Sequence, residues 1–220
     1  MLAPAEYDAW YQTPRGVWIS NAEFRLVIRQ LRPQPASTLL DVGCGTGHFS
    51  RRFAALGLQV TGLDLDTGAI KFARQQGGPI VYLESGAEAL PFADGSFDYC
   101  VAITSLCFIE QFEKAIDEMW RVSRKAIVLG LLNRNSLLFK QKDNHGSYIG
   151  ARWDRIGDVS KILSCLKPGT AGVSHGTAIF LPWTGCIART IETVMPGKAL
   201  WGGFLSVCIR KKPTTRHLIE

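Results

Sequence analysis

Cysteine pairs at metal-ligand spacing are missing from this 220-residue chain, although it holds six cysteines. Cys44, Cys100, Cys107, Cys165, Cys186 and Cys208 form no C-x-x-C pair, and several lie in apolar runs. They read as reduced thiols, not as a zinc or disulfide framework, and no metal site is expected. Long apolar runs are missing too: Ala126–Leu132, broken by Gly130, is too short to cross a bilayer. The opening residues Met1-Leu2-Ala3-Pro4-Ala5-Glu6 have no basic stretch and no apolar core, so no secretory signal is expected and a cytoplasmic location follows. The net charge of +6 is gathered partly in Arg210, Lys211, Lys212 and Arg216. No longer basic stripe is interleaved with aromatics, so nucleic acid is not the expected partner. With 46% hydrophobic and 20% charged residues the composition is that of a globular protein. No repeat or low-complexity linker appears, and one domain over residues 1–220 is expected.

What is present is an alternation of strand and helix. Asn21–Leu31 places Phe24, Val27, Ile28 and Leu31 on one helical face. Leu39–Val42, Val60–Leu63, Ile80–Leu83, Phe97–Thr104 and Ala126–Leu132 read as five strands. Between them fall a helix with Phe49, Phe53 and Leu56 on one stripe, a helix after Asp66 or Thr67 as N-cap, and a helix over Glu110–Val122. Asn133–Trp153 has no sustained period, Asp154–Leu166 returns to a helix, and Val173–Leu181 and Phe204–Arg210 read as the last two strands. The pattern predicts an α/β fold, doubly wound, with helices on both faces of a mostly parallel sheet.

One stretch carries most of the functional information. Leu39-Leu40-Asp41-Val42-Gly43-Cys44-Gly45-Thr46-Gly47 ends a strand in an acid and three alternate glycines, just before a helix. That build lets a ligand approach the backbone closely. A dinucleotide fingerprint would want a glycine at position 48, where this chain has His48. An anion would also be repelled by Asp41, whereas a ligand with a cationic amine and a sulfonium would not.

Four ordered blocks carry a family resemblance: Leu39–Gly47, Val60-Thr61-Gly62-Leu63-Asp64, Gly86-Ala87-Glu88-Ala89-Leu90-Pro91-Phe92, and Asp94-Gly95-Ser96-Phe97-Asp98-Tyr99. Through them the chain resembles the class I S-adenosylmethionine-dependent methyltransferases. It is most similar to the small-molecule group with the quinone-biosynthesis C-methyltransferases and the arsenite methyltransferases. The resemblance implies a seven-stranded Rossmann-like sheet whose final strand is antiparallel. It also implies S-adenosyl-L-methionine as cofactor, S-adenosyl-L-homocysteine as product, and methyl transfer to a small molecule by in-line displacement.

Carried onto this sequence, the family's motifs assign Gly43, Cys44 and Gly45 to the methionine part of the cofactor and Asp41 to the loop or the amino group. Asp64 is assigned to the ribose hydroxyls and Leu65 to the adenine face. Gly86 stands where relatives often carry an acid or small polar residue toward the adenine amino group. Glu88, or the backbone around Ala87, is the substitute, and a helix-terminal charge is the other reading of Glu88. Ile103 and Thr104, ending the fourth strand, flank the reactive methyl. The block Tyr7–Gly16 is either a lid, with Tyr11 and Arg15 at the methionine carboxylate and Trp10 excluding water, or a helix packed on the sheet. The lid reading covers about residues 1–32.

No catalytic base stands out. His145, Tyr148 and His175 are weak candidates. Residues 133–155 carry Arg134, Lys140, Lys142, Arg152 and Arg155 among Phe139, Tyr148 and Trp153. They are expected to cap the acceptor and to favour an anionic or aromatic substrate. Two rival readings remain: a thiol or metalloid methyltransferase, for which Cys107, Cys165 and Cys186 show no converging pattern, and a non-catalytic cofactor-binding module.

Overall fold

The computed structural model describes residues 3–166, 169–181, 183, 185–195 and 199–212, with Cys186 described by its backbone alone. Arg216 therefore lies outside the described residues, as does the Cys186 thiol. In chain order the elements are α1 (Pro4–Trp10), α2 (Pro14–Leu31), β1 (Thr38–Val42), α3 (His48–Ala54), β2 (Gln59–Asp64), α4 (Thr67–Gln75), β3 (Val81–Glu84), β4 (Phe97–Ile103), α5 (Phe112–Val122), β5 (Ser123–Leu132), α6 (Leu137–Lys142), α7 (Ile156–Leu163), β6 (Thr170–Ala178), α8 (Cys186–Val194) and β7 (Phe204–Lys211). Among the described residues no helix is long and apolar enough to cross a membrane.

The seven strands form one sheet in the order β3-β2-β1-β4-β5-β7-β6. β1 to β5 pair in parallel, and β7 runs antiparallel to both β5 and β6. Strand order reverses between β1 and β4, and ligands of such sheets bind in the crevice outside the strand carboxyl ends at that switch.

Alternation along the central strands builds two cores. Tyr99, Val101 and Ile103 of β4 join Val27, Leu31 and Phe53 on one face. Cys100 and Ala102 join Ile116, Met119 and Val159 on the other. Side chains of a strand buried on both faces divide in this way because successive Cβ atoms point to opposite sides.

Local chemistry moves several element boundaries. α2 begins at Pro14, ahead of the expected Asn21, because Thr13 accepts a hydrogen bond from the Gly16 amide at 3.0 Å and proline suits the first turn. Asp66 is the N-cap of α4, accepting from the Ala69 amide at 3.0 Å. α3 ends at Ala54, so Leu56 falls outside the apolar stripe and is 44% exposed. Residues 133–155 contain α6, capped by Ser136, and a short 3-10 turn at Gly146–Tyr148. The expected strand Val173–Leu181 lies three residues earlier, at Thr170–Ala178, and α8 had no counterpart in the sequence reading.

Candidate functional site

The turn from β1 into α3 is held from β2. Gly43 and Cys44 donate their amides to the Leu63 carbonyl at 2.7 and 3.0 Å. Asp64, ending β2, accepts from the Gly45 amide on Oδ2 at 2.7 Å and from the Asp66 amide on Oδ1 at 2.9 Å. The three loop glycines have φ of 70°, 52° and 77°, a region that favours glycine. Their surroundings differ. A Cβ at Gly43 would collide with Ser105, which donates to the Val42 carbonyl at 2.7 Å, and one at Gly47 would collide with the Tyr82 hydroxyl. A Cβ at Gly45 would meet nothing within 4 Å. Two glycines admit neighbouring side chains, and the middle one faces open space.

Asp41 is only 2% exposed and accepts a 2.6 Å hydrogen bond from the Ser50 hydroxyl. Burial pushes its carboxyl up to about 7, the Ser50 bond opposes this, and the nearby Asp64 charge adds to it. Its side chain thus ties β1 to α3 beneath the loop. The Cys44 side chain packs against Tyr82, Ile70 and Ala73, and burial raises its thiol. Its backbone remains in the turn.

Around Asp64 the surface suits a flat apolar ring. Leu65 is 67% exposed, and a Cβ at Gly86 would lie 3.7 Å from the Leu65 Cδ1 and 3.1 Å from Glu88 Oε2. Ala87 and Ile103, by contrast, bury their side chains in the two cores, leaving backbone as what they can offer a ligand. Thr104 has φ of 52° and donates its amide to the Gly130 carbonyl at 2.8 Å. That backbone is strained for a β-branched residue, and it turns the chain sharply at the end of β4.

α1 is fastened over this turn. Tyr11 lies flat on His48, with ring centroids 3.7 Å apart and planes 6° from parallel. Asp8 pairs with Arg51 at 2.9 Å, and the Tyr7 and Tyr11 hydroxyls are 3.1 Å apart. Burial, with Arg51 and Arg52 nearby, pushes the His48 imidazole down to about 4. Its Nε2 is one of four sealed side-chain polar atoms without a partner among the described residues, with Thr46 Oγ1, Tyr82 Oη and Trp153 Nε1. Tyr7 is 40% exposed and lies within electrostatic reach of Glu23, Cys107 and Asp64. Arg15 is half-buried and acts on Tyr148.

Residues 133–155 fold onto the ends of β4 and β5. Leu132, Leu138 and Trp153 form a small core on Cys107, with Phe139 and Tyr148 packed against it. The Arg152 amide donates to the Cys107 carbonyl at 2.8 Å. The Asn133 side-chain amide donates to the Leu200 and Gly202 carbonyls at 2.9 and 2.8 Å. Two of the segment's cations are already engaged. Arg152 pairs with Asp154 at 3.0 Å and covers the Phe112 ring at 3.2 Å, and Arg134 covers Phe139 at 5.6 Å.

Of the weak base candidates, the structure brings Tyr148 alone to this crevice. His145 is exposed with Nδ1 at 2.6 Å from the Asp143 carbonyl, and His175 is exposed on the edge strand β6. The Cys107 thiol donates to the Thr104 carbonyl at 3.2 Å and is pushed up to about 12 by burial, while Cys165 is exposed beyond α7. Among the described residues no three His, Cys, Asp or Glu side chains are grouped to hold a metal ion.

One residue escaped the sequence reading. Glu23 of α2 is 7% exposed, and no hydrogen bond or ion pair reaches its carboxylate among the described residues. Burial pushes it up to about 8, opposed by Arg52. The signal was available: Glu23, Val27 and Leu31 form one i, i+4 row, so an acid stands in the apolar stripe.

Residues 40–128 match a family described as a methyltransferase domain. The chain is 35% identical over 133 residues to a malonyl-[acyl-carrier protein] O-methyltransferase of Erwinia pyrifoliae, covering 60% of this chain and 47% of that protein. It is 37% identical over 100 residues to a demethylmenaquinone methyltransferase of Renibacterium salmoninarum, covering 46% and 42%. The chain thus spans about half the length of the curated relatives it matches. In fold it resembles a Thermotoga maritima protein described as an S-adenosylmethionine-dependent methyltransferase, possibly a histamine N-methyltransferase. The TM-score is 0.73 at 24% identity, covering 94% of this chain and 96% of that one.

Proposed function

We propose that this chain, whose residues 40–128 match a methyltransferase domain, is a class I S-adenosylmethionine-dependent methyltransferase that methylates a small molecule held over the ends of β4 and β5. The observation that carries this reading is the clamp of Asp64 on Gly45 beside open space. Each Asp64 oxygen accepts one backbone amide and keeps acceptor capacity for a ribose hydroxyl. Exposed Leu65 and side-chain-free Gly86 suit the adenine face, and Glu88 lies beside them for its amino group. The Gly43–Gly45 backbone and Arg15 would hold the methionine part, with Tyr11 fixing the turn through His48.

When bound, the cofactor supplies a methyl group already activated on a sulfonium. The chain's own task is alignment and exclusion of water, and orientation alone contributes about 7–11 kcal/mol in well-aligned reactions. In this reading α1 and the start of α2 are the lid, and residues 133–155 are the acceptor wall. The rings of Phe139, Tyr148 and Trp153 suit an aromatic acceptor. An anionic acceptor has less support, since Arg152 and Arg134 are engaged within the segment.

Calorimetric titration with S-adenosylmethionine and S-adenosylhomocysteine tests the cofactor half. Release of labelled methyl to a panel of amines, phenols, thiols and carboxylates tests the transfer. Failure to bind either cofactor form would overturn the reading, and tight binding without transfer to any acceptor would favour a binding module.

A further inference from the structure

We propose that Glu23 receives the acceptor, holding a protonated aromatic amine and taking its proton before methylation. This rests on the methyltransferase reading and assigns its substrate class.

The placement comes from α2. Near its end the Gln30 carbonyl accepts from Arg210, which pairs with Ala126 at the start of β5. Glu23 stands two helical turns back, about 10 Å along the axis toward the strand carboxyl ends. There it acts on Tyr7 of α1, on Tyr11 just after it and on Tyr148 from the acceptor wall. The carboxylate is therefore within electrostatic reach of both the lid and the wall. Glu23 keeps a small exposed fraction of 7%.

Its chemistry selects the ligand. A buried acid without a hydrogen-bond partner is costly, and such groups are ordinarily paired. Arg52, the cation that acts on Glu23, gives its guanidinium to Asn21 Oδ1 at 2.7 Å and covers the Phe24 ring at 4.2 Å, outside ion-pair range. Once Glu23 is ionised, a carboxylate or phenolate acceptor is repelled, and a neutral alcohol leaves the charge uncompensated. An ammonium supplies both the charge and the donors, and tyrosine rings favour a cation over their faces. One N–H proton passes from the ammonium to a Glu23 oxygen, leaving the lone pair on nitrogen. That proton then leaves to water past Tyr7, which is 40% exposed.

The test is calorimetric binding of three matched probes, above about pH 8 where Glu23 of the unliganded chain is ionised, to the full chain saturated with S-adenosylhomocysteine: 2-phenylethylamine, 2-phenylethanol and phenylacetate. The amine should bind at least about tenfold more tightly than the other two. Glu23→Gln should erase that preference while S-adenosylhomocysteine affinity stays within about threefold, and Glu23→Asp should retain part of it. Equal binding of phenylacetate by the native chain, no binding of the amine at millimolar concentration, or an amine preference surviving in Glu23→Gln would each overturn the proposal. So would loss of S-adenosylhomocysteine affinity in Glu23→Gln, which would assign the carboxylate to the cofactor. The native selectivity needs no variant, so a misfolded Glu23→Gln protein leaves the test intact. If the native chain fails to bind S-adenosylhomocysteine at all, the methyltransferase reading itself falls.

Discussion

The Asp64 carboxylate and the Gly45 amide are joined at 2.7 Å, so the acid that ends β2 holds open the turn that follows β1. The same oxygens are the ones proposed to meet the ribose. Cofactor affinity and loop order therefore share one side chain.

Asp64→Ala is expected to weaken S-adenosylmethionine binding by at least about tenfold, since hydrogen bonds to charged groups contribute about 1.5–3 kcal/mol. It should also lower Tm by several degrees, because the Gly45 and Asp66 amides lose their acceptor. Titration calorimetry and a melting curve read the two effects separately. An unchanged dissociation constant would remove the ribose assignment.

The three loop glycines should respond differently to alanine. Gly45→Ala meets no neighbour and pays only for its positive φ, roughly 1–2 kcal/mol, yet its methyl enters the open space proposed for the cofactor. Binding should be lost with a small Tm shift. Gly43→Ala and Gly47→Ala collide with Ser105 and Tyr82, so they should lose more stability. Full cofactor binding by Gly45→Ala would mean that the turn does not touch the ligand.

Glu23 predicts a pH dependence of the unliganded protein. Its carboxyl is near 8 in the fold against an ordinary 4.5, so between these values the folded chain holds a proton that the unfolded chain has released. Its stability contribution is present at low pH and is lost as pH rises through about 8. The groups that bear on it are Arg52 from α3, Tyr7 from α1, Tyr11 just after α1, and Tyr148 from the acceptor wall. Tm should fall between about pH 4.5 and 8 more steeply in the native chain than in Glu23→Gln, and the two curves should run parallel above that. Asp41 is common to both proteins and cancels. Curves parallel over the whole range would show that the carboxylate is not desolvated.

Deleting Lys140–Gly150 should leave cofactor binding within a few-fold, because the turn and Asp64 do not depend on it, and should abolish methyl transfer. The deletion removes Tyr148 and leaves Trp153 and the base of the wall. Transfer at the native rate by the truncated chain would place the acceptor elsewhere.

Much of this was legible in the residues. β1, β4 and β5 announce themselves by apolar runs bounded by turns, since a strand buried on both faces has no polar side to mask it. Asp41, the glycine turn and Asp64 stand at strand ends, where an open parallel sheet puts its chemistry. β6 was harder because residues 171–175 are exposed, leaving no alternation to fix its start. The collisions that constrain Gly43 and Gly47 were invisible, since Ser105 arrives from the turn after β4 and Tyr82 from β3. Glu23 was passed over for a similar reason: a glutamate in a helix is usually solvated, and only tertiary packing buries this one.

The position of β7 bears on how the molecule is made. It lies between β5 and β6, although the ribosome delivers it after both. β1 to β5 can pair as they emerge, but β6 has no neighbour until residues 204–211 leave the tunnel and slide in beside it. The Asn133 side chain waits as well, for the carbonyls of Leu200 and Gly202. During synthesis, then, the nucleotide-like half of the crevice can take shape early, and the half that would choose the acceptor becomes rigid last.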